Sequence, residues 1–227
     1  METIDWRSIR LVVFDMDGTL YDQRVLRMAM LRGLLLDAFQ QRSLKTVRSI
    51  AMFRRVREEL AETESPDFAV RQYEWTAERT GTSAESVRAL VEEWIEKRPL
   101  RHLLSARFPG IDELLGRLRE RGIVTAVWSD YPATEKMEAL GLQADLIVSA
   151  DHPEIGMLKP SPAGLRLIME KMGCCAEETI MIGDRKERDG LAAETVGVRA
   201  LIKTKDRSCS FPYFNSYGDA PFRFGPE

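Results

Sequence analysis

Residues 11–20 read LVVFDMDGTL, and this stretch decides the fold. Leu11, Val12, Val13 and Phe14 form a continuous apolar run, the pattern of a parallel strand covered on both faces. The run leads into two carboxylates, Asp15 and Asp17, and a glycine turn at Gly18. Two acids at the end of a buried strand repel each other and face an apolar core, and both effects cost free energy. A bound divalent cation relieves both. The plain alternative is that Asp17-Gly18 is a turn and Asp15 a helix cap or surface residue, so the rest of the chain has to decide.

Working outward, the 227 residues suffice for one large domain or a core with a smaller second module. With 44% hydrophobic and 30% charged residues, the composition is that of a soluble globular protein. The net charge is −3, from 33 basic and 36 acidic side chains, so no basic excess points to nucleic acid. No apolar run approaches the ~20 residues of a membrane span, and the N-terminus, METIDWRSIR, lacks an apolar signal core. Cys174, Cys175 and Cys209 show neither metal-ligand spacing nor a disulfide framework. The expected location is the cytoplasm.

Two organisational patterns follow the first strand. Residues 24–98 carry helical periodicities and no strand signal: Val25, Met28, Leu31, Leu35 and Phe39, then Leu44, Val47, Ile50, Met52 and Val56. A third helix spans 68–79 and stops at Gly81; Thr82 and Glu85 form a capping-box pattern for a fourth, and Pro99 ends the module. From about residue 108 helices and strands alternate: helix 111–121, strand 123–128, helix 133–140, strand 145–149, a helix capped by Ser161 with Pro162 at its first position, strand 178–182, helix 186–196 and strand 198–202. The expected fold is therefore α/β, a Rossmann-like, doubly wound parallel sheet, with residues 1–21 and 100–227 as a discontinuous core and 22–99 as an inserted α-helical domain. The tail, 203–227, reads as an irregular surface segment.

In such sheets ligands gather at the carboxyl ends of the strands. The polar residues there are Asp15 and Asp17 after the first strand, Ser129 and Asp130 after the second, Lys159 after the third, and Asp184 with Asp189 after the fourth. Each has a plain reading. Ser129 could cap a turn, Lys159 could be a solvated loop lysine, Gly183-Asp184 could be a turn, and Asp189 could be an acid in the first turn of a helix. Their joint order at four strand ends argues against coincidence.

The set resembles the four motifs of the haloacid dehalogenase-like hydrolase superfamily: hhhhDxDGTL at Val12–Leu20, a strand ending in Ser129, Lys159 before Pro160, and hhhGDxxxxD at 181–189. The helical insert resembles the cap of subfamily I members. One departure is Asp130, where relatives often carry Asn.

The resemblance implies phosphoryl transfer through an aspartyl-phosphate. Asp15 would be the nucleophile, and Asp17 the general acid for the leaving alkoxide and then the base for water. Asp15, the Asp17 backbone carbonyl and Asp184 would hold Mg²⁺, with Asp189 supporting the metal or ligating it. Lys159 would offer charge to Asp15 and the phosphate, while Ser129 and backbone N–H groups near Gly18 and Asp130 would bind phosphoryl oxygens. Dehalogenases of the superfamily lack the second aspartate, so Asp17 favours phosphate esters. The implied partner is a small phosphorylated metabolite. A phosphomutase of the β-phosphoglucomutase kind, and a non-catalytic phosphate-binding regulator, are the alternatives; oligomeric state is open.

Other residues read more plainly. His102 and His152 stand isolated, Met28, Met30 and Met52 read as core filler, and Arg48, Arg54, Arg55 and Arg57 as a solvated helix face. Tyr21, Asp22 and Arg24 could face substrate or form a hinge, and Arg71, Tyr73 and Trp75 could reach the cleft.

Overall fold

The apolar run becomes β1 (Leu11–Phe14), every residue of it buried. In this computed structural model, which describes residues 4–222 and 224, β1 lies between β2 (Val124–Ser129) and β4 (Thr179–Gly183). The sheet continues through β3 (Leu146–Ser149) on one side, and β5 (Arg199–Lys203) and β6 (Tyr213–Phe214) on the other, in the order β3-β2-β1-β4-β5-β6. Every pairing is parallel. Phe14 lies opposite both Val127 and Ile182, so the polar residues that follow these strands emerge along one edge.

Alternation of side chains divides β1 between two cores. Val12 and Phe14 pack on Leu114, Leu118 and Met137, which lie on α6 (Ile111–Glu120) and α7 (Thr134–Leu140). Leu11 and Val13 pack on the other face against Leu165, Ile168 and Ala192, from α8 (Ala163–Met172) and α9 (Leu191–Thr195). A doubly covered sheet is what a continuous apolar strand requires.

Between β1 and α6 run α1 (Gln23–Gln40), α2 (Lys45–Glu62), α3 (Phe68–Thr80) and α4 (Ala84–Val91). A π-helical turn, Glu92–Lys97, then leads into α5 (Arg98–Ala106). These helices share an apolar cluster that includes Met30, Phe53, Val91 and Trp94. A second cluster joins Val56, Leu60 and Phe68 to Ala150 and Leu158 beyond β3.

Several local expectations are corrected. Pro99 sits in the first turn of α5 rather than ending the helical module; the π-helical turn before it, with Arg98 N–H bonded to the Glu93 carbonyl, runs directly into α5. Ser83, not Thr82, caps α4, its side chain accepting from Ser86 N. Ser161 makes no cap for α8; Pro162 occupies that position. Met28, Leu35 and Phe39 on α1 face solvent instead of the core, while Met30 on the same helix is buried. Helical spacing shows which residues share a face, not what covers it. Arg57 is buried rather than solvated: it hydrogen-bonds Gln72 and the Asp130 carbonyl, and lies over the Tyr131 ring.

The largest correction is the tail. Residues 213–214 add a sixth strand, and Phe214, Tyr217 and Phe222 enter the core that contains Phe14 and Leu114. Phe222 packs edge-on against Phe214, and Trp6 donates to the Pro221 carbonyl at 2.8 Å. An aromatic-rich segment buries more apolar area per residue than its irregular sequence suggests. No helix among the described residues is long and apolar enough to cross a membrane.

Candidate active site

Asp15 continues the β1 ladder by donating its N–H to the Ile182 carbonyl at 2.7 Å. Both carboxylate oxygens are oriented: Lys159 Nζ donates to Oδ1 at 2.6 Å and Thr19 Oγ1 to Oδ2 at 3.0 Å. The Thr19 carbonyl in turn accepts from the Tyr217 hydroxyl at 2.8 Å, which ties the tail to the nucleophile loop. Gly18 has φ +96°, and a Cβ there would overlap the Asp184 carboxylate, so both backbone and space demand glycine.

Asp15, Asp184 and Asp189 bring carboxylate oxygens within 4.8 Å of one another. Lys159, itself buried, bridges two of them, reaching Asp189 Oδ1 at 2.8 Å. Asp189 Oδ2 accepts the N–H groups of Asp184 and Arg185 at 3.2 and 3.1 Å. Burial disfavours the Lys159 charge, but Asp15 and Asp189 outweigh it and hold its pKa above the ordinary lysine value. Burial pushes Asp15 well above the usual carboxylate range; Lys159 opposes this and the neighbouring acids add to it. Asp184 is raised to about 7, chiefly by burial and then by Asp189. Its Oδ1 is buried and has no hydrogen-bond partner among the described residues. A site with excess carboxylate, hard oxygen donors and one orphaned oxygen fits a divalent cation such as Mg²⁺.

Asp17 is held apart from this cluster. Lys136 Nζ donates to both its oxygens at 2.8 and 3.0 Å, and the Tyr21 hydroxyl donates to Oδ1. Burial alone would raise the Asp17 pKa, but Lys136 and Tyr21 bring it below its ordinary value.

Ser129 is fully buried and its Oγ accepts the Tyr131 N–H at 3.1 Å, the turn-capping arrangement. Asp130 Oδ1 accepts the Lys159 N–H at 3.0 Å and so positions the loop that carries the lysine. Asp15, Asp17, Gly18, Asp130, Lys159 and Asp184 all line a cavity of about 1320 Å³; Asp189 and Tyr21 also face it. Arg71, Tyr73 and Trp75 are not among its walls.

Sequence reasoning missed Lys136 and the clasp over the Asp184 loop. Lys136 shares an apolar helix face with Ala133, Met137 and Leu140, all buried, and a lysine in that company was the available signal. In the clasp, Glu58 of α2 takes Arg185 in a two-pronged contact at 2.9 and 3.0 Å and Arg188 at 2.6 Å. Arg185 and Arg188 hold the Glu58 pKa down at about 2. No spacing rule joins residues so distant in the chain.

The sequence pattern of the haloacid dehalogenase-like hydrolases matches residues 9–197. The chain belongs to that family. The phosphoserine phosphatase of Thermus thermophilus is 29% identical over 137 residues, covering 59% of this chain and 53% of that protein. This chain therefore matches about half the length of that relative. Phosphoglycolate phosphatase 1 of Pseudomonas aeruginosa is 28% identical over 204 residues, covering 87% of this chain and 70% of that one. Among solved structures, the 2-haloacid dehalogenase of Pseudomonas syringae superposes with a TM-score of 0.62 at 20% identity, covering 92% of this chain and 94% of that chain. That likeness establishes the shared α/β fold.

Proposed function

We propose that this haloacid dehalogenase-like hydrolase is a Mg²⁺-dependent phosphatase that cleaves a small phosphomonoester through a phosphoryl group carried on Asp15, with residues 22–99 acting as a helical cap. The observation that carries the reading is the setting of Asp15. It is a buried carboxylate at a strand end, oriented at both oxygens, facing a large cavity beside an acid with an unpartnered oxygen.

Asp15, Asp184 and the Asp17 carbonyl would hold the cation, with Asp189 in support; when bound it supplies positive charge against phosphate and carboxylate together. An Asp15 oxygen bonds to phosphorus, and the ester P–O bond breaks. Asp17, having taken up a proton from solvent as the phosphate dianion arrives, gives that proton to the leaving alkoxide. Water then attacks the aspartyl-phosphate, Asp17 takes the proton, and inorganic phosphate leaves with Asp15 restored. The clamp of Lys136 and Tyr21 keeps Asp17 ionised, the form that accepts a proton from water. Arrival of a dianionic phosphate beside it raises its proton affinity for the acid half of the cycle. Lys159 stays charged throughout and offsets the charge that builds up on the transferring group.

The test is a phosphoester panel led by phosphoglycolate and phosphoserine, the substrates named for the relatives. Mg²⁺ should support hydrolysis and EDTA abolish it. Hydrolysis by Asp15→Asn protein at the wild-type rate would overturn the nucleophile assignment. Recovery of a phosphorylated sugar instead of free phosphate would mark a mutase.

A further inference from the structure

The end of β5 carries a lysine that the chemistry above leaves unused. Gly183 pairs with Ile202, so Asp184, just past the end of β4, and Lys203, the last residue of β5, both emerge at the edge where the site is built. Lys203 lines the cavity and its Nζ sits 3.5 Å from the centroid of the Phe108 ring. Among the described residues its ammonium has no hydrogen-bond or ion-pair partner. Asp22, Asp184 and Asp219 attract it from a distance and Lys205 repels it, yet burial dominates and lowers its pKa below the ordinary lysine value. A half-buried ammonium without a counter-ion carries a desolvation cost that an anionic ligand would offset.

The tail completes this side of the cavity. Ile202 N donates to the Pro212 carbonyl and Thr204 N to the Phe214 carbonyl, at 2.9 and 2.8 Å, so residues 212–214 run beside β5. Asn215 and Ser216 follow into the cavity wall, their N–H groups fixed on Asp219 Oδ2 at 2.9 and 2.8 Å. The Phe108 ring restrains the ammonium through a cation–π contact, so less side-chain freedom is lost on binding.

We propose that Lys203 is a specificity-determining residue that binds a second anionic group, carboxylate or phosphate, on an ester whose scissile phosphate lies against Asp15. The proposal rests on the phosphatase reading and adds the substrate's charge class to it.

The experiment compares kcat/KM of wild-type, K203M and K203R protein on phosphoglycolate, a sugar bisphosphate and p-nitrophenyl phosphate, which has no second anion. K203M is expected to lose about 10- to 100-fold on one or both doubly anionic esters relative to p-nitrophenyl phosphate, the scale of one charge-assisted hydrogen bond. K203R should recover part of it. Loss on phosphoglycolate alone assigns a carboxylate, and loss on the bisphosphate alone a second phosphate. Equal losses on all three esters, or none, overturn the proposal. If wild-type protein hydrolyses none of them, the phosphatase reading itself fails only if phosphoserine and the rest of the panel are left intact as well, and calorimetric binding decides on Lys203. Preference for phosphoglycolate or the bisphosphate over inorganic phosphate, lost in K203M, supports it; no preference, or one retained in K203M, overturns it.

Discussion

Replacing Asp184 by Asn should stabilise the metal-free protein at alkaline pH, although it removes a member of the acidic cluster. Asp184 stands at about 7 against an ordinary 3.8, because burial and then Asp189 disfavour its charge. A carboxyl whose pKa is raised by folding favours the folded state in its neutral form. That contribution is complete below pH 3.8 and disappears as the pH climbs through about 7. At pH 8 the fold therefore holds the charged form at a cost of about 4 kcal/mol, taking 1.36 kcal/mol for each tenfold change in proton affinity. The amide keeps the shape and removes the charge. In EDTA at pH 8, Asp184→Asn should raise Tm, by up to roughly 8–16 °C for a chain of this size. At pH 5 the gap should shrink to roughly 1.6 kcal/mol, because folded Asp184 is then protonated while the unfolded chain still ionises it, and it should close only below pH 3.8. Mg²⁺ at pH 8 should raise the Tm of the wild type and leave the variant nearly unmoved, since ligand stabilisation requires binding to the folded state. Differential scanning fluorimetry across the two pH values, with and without Mg²⁺, reads all of this. A variant no more stable than wild type in EDTA at pH 8, or equal Mg²⁺ increments in both proteins, refutes the reasoning.

Other perturbations test other parts of the site. Asp15→Asn should reduce phosphoester turnover to background while circular dichroism shows an intact fold. Lys136→Met removes the cation that holds Asp17 down, so the limb of the kcat/KM profile set by Asp17 as proton donor, the alkaline one, should move to higher pH; an unmoved limb counts against the clamp. Gly18→Ala should cost both stability and the Mg²⁺-induced rise in Tm, because the new methyl meets the Asp184 carboxylate at a backbone φ that favours glycine. Tyr217→Phe loses the bond to the Thr19 carbonyl and should cost about 1 kcal/mol, roughly 2–4 °C in Tm by thermal denaturation.

The parts of the site that were legible share one cause. Asp15, Asp130 and Asp184 each follow directly on a parallel strand, and parallel strands in register bring their carboxyl ends together whatever their distance along the chain. Lys159, outside any strand, was legible through its place in the motif order. What escaped depends on packing between helices and sheet. The capture of Asp17 by Lys136 depends on how α7 lies against β1, and the clasp of Glu58 on Arg185 and Arg188 on where α2 meets the loop after β4. Ser129 had two readings that are compatible: its Oγ accepts the Tyr131 N–H of the turn, which leaves the O–H as a donor.

Local pattern alone determined that this chain alternates helix and strand, buries LVVF on both sides and sets acids and a lysine at the strand ends, because side-chain period and burial cost act within a few residues. Only tertiary structure decided which cation each acid meets, that one face of α1 is left to solvent, and that the aromatic tail closes the sheet beside Lys203. Those outcomes depend on the relative placement of whole elements. That placement is settled by the summed packing of two cores, to which no short stretch of sequence contributes enough to be read by itself.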